Sequence, residues 1–218
     1  MEINQFGFLL NINGSEIIRA NQYEYLGIII DDRLNWSNHV DKIRKEITPY
    51  VFILNRSRYL ISEQTAKLIY QSFIHSRLTY VAPSWRAAPD YKLQELRVLQ
   101  HRAIKAIYRL PFLTPSRDLF SPTLLSLNNI LKYETILTIF KIKHNLIRNS
   151  QNLRLVSDTH HHNTRQGQLY YIEPSVTTVA DSNIFRVGLQ MFNCLPQPIR
   201  EECLLGSFKK KLRDYLSD

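Results

Sequence analysis

The chain has 218 residues, with 28 Lys plus Arg against 19 Asp plus Glu for a net charge of +9, and 44% of it is hydrophobic. That balance describes a folded globular chain with an anionic partner, nucleic acid before an acidic membrane surface, and excludes a disordered or fibrous one. Two cysteines, Cys194 and Cys203, exclude a disulfide-framed secreted scaffold, and the lack of any glycine between Gly27 and Gly167 excludes phosphate-cradling loops and dinucleotide fingerprints there.

The opening reads as antiparallel β. Residues 6–12 and 15–20 flank Asn13-Gly14, the dipeptide that best fits a two-residue hairpin turn. Residues 23–30 are predicted as a third strand, ended by Asp31-Asp32. From Trp36 the period changes: Trp36, Val40, Ile43, Ile47, Val51 and Leu54 recur at steps of three and four, an amphipathic helix capped by Asn35 or Ser37. Pro49 is expected to kink or split it. A second helix is predicted from Ser62, with Ala66, Ile69, Tyr70 and Phe73 on one side, stopping before Pro83. A third runs from Asp90 to Leu110, where Pro111 ends it, burying Leu93, Leu96, Leu99, Ala103, Ile107 and Leu110. Three helices with short connections predict a bundle.

Ser121-Pro122 reads as an N-cap with proline at the first helical position, opening a region that continues through Tyr133, Ile136, Phe140 and Ile147. Residues 150–168 read as a polar loop holding His160, His161 and His162, followed by short strands near 169–172 and 176–179. Helices near 183–192 and from Ser207, the latter burying Phe208, Leu212 and Leu216, close the chain. The expected fold is therefore mainly α with a small β element: short antiparallel strands, a basic three-helix bundle and a looser α/β C-terminal region.

The charge is concentrated. Residues 36–112 hold 13 basic and five acidic groups, a balance of +8, against −3 for residues 1–35, where two basic groups face five acidic ones. Within the third helix Arg97, His101, Lys105 and Arg109 are spaced by four, with Arg102 beside them and no acid between Arg97 and Arg109. A run of cations on one solvated face suits nucleic-acid backbones, because each neutralised phosphate releases counterions. The plain alternative is an ordinary solvated helix surface.

No motif supplies chemistry. Asp31-Asp32 lacks a further carboxylate in strand context and reads as a turn, not a metal pair. The histidine run lies far from both cysteines, so no zinc site and no other metal ligand set is expected. Gly-x-Ser-x-Gly and His-Glu-x-x-His are absent, so no catalytic residue is assigned. The start, residues 1–5, lacks the pattern of a signal peptide, and apolar runs such as residues 25–30 fall far short of the roughly 18 residues of a spanning helix. An intracellular protein, in cytoplasm or nucleus, without a membrane or small-molecule partner is expected.

The segment Tyr25-Leu26-Gly27-Ile28-Ile29-Ile30-Asp31-Asp32-Arg33-Leu34-Asn35-Trp36-Ser37-Asn38-His39-Val40 resembles the stretch just past the catalytic palm in reverse transcriptases of non-LTR, jockey-like retrotransposons. The likeness continues at Tyr70-Gln71-Ser72-Phe73-Ile74-His75-Ser76-Arg77-Leu78-Thr79-Tyr80, at Pro83-Ser84-Trp85 and at residues 96–105. It returns at Asn163-Thr164-Arg165, at residues 193–200 and at Ser207-Phe208-Lys209-Lys210-Lys211-Leu212. This resemblance implies that residues 1–32 end a palm, with Tyr25, Leu26 and Gly27 at the position of the primer grip. Residues 33–112 would be a helical thumb and residues 113–218 the region downstream of it. The basic helix, through Arg97, His101, Arg102, Lys105 and Arg109, would then hold an RNA–DNA or DNA duplex without reading its sequence.

In that family the catalytic aspartates lie upstream, so this chain is expected to lack polymerase activity alone. It would need no cofactor, Mg²⁺ serving only a full-length polymerase. The upstream polymerase region is a further expected partner. Two other readings remain: a protein-interaction module with a basic face, and a transposon-derived remnant without selected function.

Overall fold

Asn13 and Gly14 take φ of 51° and 82°, the left-handed pair that a two-residue hairpin turn needs, and join β1 (Asn11–Ile12) to β2 (Ser15–Glu16). The computed structural model describes residues 11–16, 20–115, 119–120, 123–148, 153–159, 167–174, 177, 181 and 183–217. The remainder of the two strands predicted over residues 6–12 and 15–20 falls largely outside them. The chain is mainly α, with a small antiparallel β element at its start.

The single strand predicted over residues 23–30 is instead a hairpin. β3 (Gln22–Tyr25) pairs with β4 (Ile28–Asp31), Tyr25 opposite Ile28, across a turn in which Leu26 and Gly27 have φ of 48° and 81°. A left-handed leucine costs about 1–2 kcal/mol, so local preference gave no sign of this turn. Tertiary contacts hold it: the Tyr80 hydroxyl donates to the Leu26 carbonyl at 2.7 Å and the Lys42 ammonium to that of Gly27 at 3.0 Å.

Asp31 ends the hairpin and starts the first helix. Its buried carboxylate accepts the Arg33 and Asn35 amides on one oxygen, at 3.1 and 3.2 Å, and the Trp36 amide on the other at 3.0 Å. The acidic pair is thus a turn, as its sequence context indicates. Helix α1 (Ser37–Arg56) has its N-cap at Trp36, with φ of 64° and no side-chain cap. Trp36 itself offers no cap, but Asn35, one of the two expected, does: its Oδ1 accepts the Ser37 amide at 2.8 Å, while Asp31 holds the turn leading into the helix. Pro49 does not split α1. It lies on the exposed side, where the Lys45 carbonyl left without an amide faces water.

Ser62 caps α2 (Glu63–Ile69) by accepting the Thr65 amide at 3.1 Å. The helix then widens into a π-helical turn, Tyr70–His75, before α3 (Ser76–Thr79). The wider turn keeps Ala66, Tyr70, Ile74 and Leu78, four residues apart, on the buried side. Phe73, predicted inside, is turned outward and stacks on Tyr50 with ring centroids 4.4 Å apart. The helical run ends at Thr79, before Pro83 as predicted, and Pro83 then stands in the first turn of the short α4 (Ala82–Trp85), whose Trp85 is fully buried and donates to the Tyr80 carbonyl.

Helix α5 (Asp90–Ile107) ends earlier than predicted, and Arg109 beyond it has φ of 54°. Leu99 and Leu110 are only partly buried, whereas Gln100 is fully buried. Its amide donates to the Tyr70 hydroxyl at 2.9 Å and the Leu125 carbonyl at 3.0 Å, and its oxygen accepts the Leu127 amide at 2.7 Å. Burial pushes the Tyr70 hydroxyl pKa up to about 12.

Ser126, not Ser121, caps α6 (Leu127–Lys143), accepting the Asn129 amide at 3.3 Å; Ser121-Pro122 lies outside the described residues and Ile147 lies past the helix end. Beyond α7 (Val156–Thr159), the strand predicted at 169–172 is a single bridge between Leu155 and Tyr170. The histidine run, and the strand near 176–179 apart from Thr177, lie outside the described residues. Asn183 caps α8 (Ile184–Asn193), followed by α9 (Gln197–Arg200) and α10 (Leu205–Tyr215), which buries Phe208 and Leu212 with Leu216 half-buried.

Two apolar clusters result. The first joins α1, α2, the π turn, α4 and α5, and takes Leu127 and Leu131 from α6. The second joins Ile130, Ile136, Leu137, Ile139 and Phe140 of the same helix to α8, α9 and α10. Helix α6 is therefore a wall common to both. Gly188 of α8 lets the two helices close: a Cβ there would stand 2.7 Å from Ile139 Cγ1.

Candidate nucleic-acid interface

The five basic residues predicted on one face of the third helix have different surroundings. Arg97 is bound within the protein: its guanidinium donates to Asp90 at 2.8 Å, Gln94 at 3.0 Å and Asn128 of α6 at 2.9 Å. The acid-free stretch of sequence is thus not acid-free in space, because Asp90 reaches back two turns. The bond and charge of Arg97 hold the Asp90 carboxyl below the usual carboxylate range. His101 is half-buried with its ring 5.4 Å from Phe120. Burial, then the charges of Lys105 and Arg97, lower its pKa.

The other three keep their charge available. Arg102 is exposed and has no bonding partner among the described residues. Lys105 donates to the Phe112 carbonyl at 2.5 Å. Arg109 has left the helix, and its guanidinium crosses to the loop after α1, donating to the carbonyls of Arg58 at 3.0 Å and Ile61 at 3.1 Å. Arg58 returns the contact, donating to the Leu110 carbonyl at 3.1 Å. A carbonyl satisfies a donor without cancelling its charge, so this end of the helical layer stays cationic.

Arg56, exposed in the last turn of α1, and Arg58 belong to this end and were missed in the sequence. The signal available was Asn55-Arg56-Ser57-Arg58 at a predicted helix end. Glu63, at the start of α2, is paired with Lys67 at 2.6 Å.

At the other end the cations are neutralised. Lys92 pairs with Asp41 at 2.7 Å and Arg44 with Glu95 at 3.0 Å. Tyr25, Leu26 and Gly27 form the hairpin tip, with the side chains of Tyr25 and Leu26 exposed. Beneath the tip a cavity of about 230 Å³ is lined by His39, Lys42, Glu46, Arg77 and Tyr80. Lys42 pairs with Glu24, and Arg77 with Glu46 at 3.2 Å, so its charges balance. His39 Nδ1 accepts the Ile29 amide at 3.4 Å, while Nε2 is buried without a partner. Burial first, then the Lys42 charge, lowers the His39 pKa to about 4. From Lys42 to Arg56 along α1 is about 20 Å.

Among the described residues no group of three His, Cys, Asp or Glu is placed to hold a metal, and no helix is long and apolar enough to cross a membrane.

In sequence the chain is related over half its length to RNA-directed DNA polymerases of mobile elements, the jockey-like retrotransposon class that its motifs resemble. In particular, it is 28% identical over 114 residues to the RNA-directed DNA polymerase from mobile element jockey of Drosophila funebris. It is likewise 28% identical over 117 residues to the polymerase of the same name in Drosophila melanogaster. Each match covers 50% of this chain and 12% of the relative, so the chain spans only a small part of those proteins. No protein-family model and no solved structure matches it.

Proposed function

We propose that this chain acts as the thumb-like, nucleic-acid-holding part of a retroelement RNA-directed DNA polymerase. It grips an RNA–DNA or DNA duplex by its phosphates and leaves the polymerising carboxylates to residues outside it. One observation carries the reading: Arg58, Lys105 and Arg109 bind carbonyls at the end of α1 and α5, where Arg56 and Arg102 are exposed, and none of the five pairs with a carboxylate among the described residues. A duplex backbone answers such a surface, since it presents one negative charge per ~1.7 Å and needs no base reading to bind.

The test is the salt dependence of binding. Affinity for a blunt RNA–DNA duplex should fall steeply between about 50 and 200 mM salt. Arg102→Glu, a change at an exposed side chain without partners among the described residues, should lower the slope of log affinity against log salt by about 1. Binding that is undetectable at low salt, or a slope indifferent to this substitution, refutes the reading.

A further inference from the structure

The cationic end also carries exposed rings, which a duplex has no use for. Tyr59 is 72% and Phe112 76% exposed, each followed by an exposed leucine, Leu60 at 85% and Leu113 at 87%. They sit on two loops far apart in sequence, after α1 and after α5. The loops are strapped together by Arg58 to Leu110, by Arg109 to Arg58 and Ile61, and braced by Lys105 to Phe112. Every one of these straps ends on a backbone carbonyl, so the loops are fixed while the side chains of Tyr59 and Phe112 stay outside. Each ring has a cation over one face, leaving the other for stacking: the Arg58 guanidinium lies 4.9 Å from the Tyr59 ring centre and the Lys105 ammonium 5.6 Å from that of Phe112.

From this arrangement we infer that Tyr59 and Phe112 form a stacking platform for unpaired bases, and that this end of the molecule takes up a single-stranded nucleic acid. Two physical facts select that occupant. A π face next to a phosphate-binding cation is the pairing that single strands use, and base–ring stacking is tolerant of sequence. In a duplex the base faces are already covered by their neighbours, so only phosphates and groove edges remain to be touched. An apolar protein partner would gain from the leucines but would have to desolvate the Arg58 and Lys105 heads that lie over the rings. The platform is preorganised, which lowers the ordering cost of binding. This inference rests on the nucleic-acid reading above and adds to it a second kind of strand, such as the unpaired stretch next to a duplex.

The experiment uses the full chain, a fluorescent oligothymidylate of about 15 nucleotides and a blunt RNA–DNA duplex, titrated by anisotropy at one salt concentration. The double substitution Tyr59→Ala with Phe112→Ala should weaken single-strand binding at least tenfold and change duplex binding less than twofold. Tyr59→Leu with Phe112→Leu, which keeps apolar bulk without a π face, should also weaken it, whereas Phe112→Trp should restore or exceed the original affinity. Single-strand binding that survives the leucine pair unchanged overturns the inference. So does a chain that binds the duplex but not the oligothymidylate, an outcome that leaves the proposed function standing. If neither ligand binds, both fall. Self-association in sedimentation velocity that the alanine pair abolishes, with single-strand affinity unmoved, assigns the rings to a second copy of the chain and likewise overturns it.

Discussion

The two ends of helix α5 carry similar numbers of cations and do opposite things with them. Toward its start, Lys92 and Arg97 are matched to Asp41, Glu95 and Asp90, and Arg44 from α1 joins the same network. Toward its finish, Lys105 and Arg109 bind carbonyls, Arg58 does the same from the next loop, and Arg102 binds nothing described. A carboxylate cancels a cation's field, while a carbonyl merely orients it. Net charge by segment, +8 for residues 36–112, therefore overstates the positive surface at one end and says nothing of its location at the other.

The largest expected effect comes from the residue between the two ends. Gln100→Leu removes three hydrogen bonds inside the core and leaves the Tyr70 hydroxyl, the Leu125 carbonyl and the Leu127 amide unpaired. At roughly 1–3 kcal/mol for each orphaned group, a loss of about 3–5 kcal/mol is expected in urea unfolding. A change under about 1 kcal/mol would mean that the α5–α6 junction is looser than described.

The neutralised end has an acid sensitivity of its own. His39 has a folded pKa of about 4, against 6.5 when unfolded, so the unfolded chain takes up the proton first. Stability should therefore fall as the pH drops from about 6.5 to 4, by up to ~1.4 kcal/mol per pH unit. Protonation also removes the acceptor of the Ile29 amide and puts a charge beside Lys42. In His39→Gln the dependence over that window should flatten. An unaltered profile of urea midpoint against pH would show that the histidine is not held neutral.

The smallest effect should come from Arg97→Ala. Its guanidinium is already engaged with Asp90, Gln94 and Asn128, so duplex affinity should change less than twofold and the salt slope not at all. A loss matching that of Arg102→Glu would erase the distinction between the ends.

Local chemistry made much of the fold legible. Asn13-Gly14 turns, Ser62 and Asn183 cap, and the buried side of α1 follows its three-and-four spacing. What escaped was set by partners distant in sequence. Leu26-Gly27 became a turn through Tyr80 and Lys42, and Gln100 was buried because Tyr70, Leu125 and Leu127 surround it. The surroundings of the candidate site were set in the same way. A spacing of four indicates a shared helix face but not that Asp90 and Asn128 claim Arg97, that Phe120 covers His101, or that Arg109 leaves the helix to bind the facing loop.

Helix α6 has a consequence for how this chain can be divided. Leu127 and Leu131 belong to one apolar cluster and Ile136, Ile139 and Phe140 to the other. Removing either half would bare an oily side of the same rod, and melting one half would strip a wall from its neighbour. A helix whose buried residues are divided between two cores makes each half depend on the other for its burial.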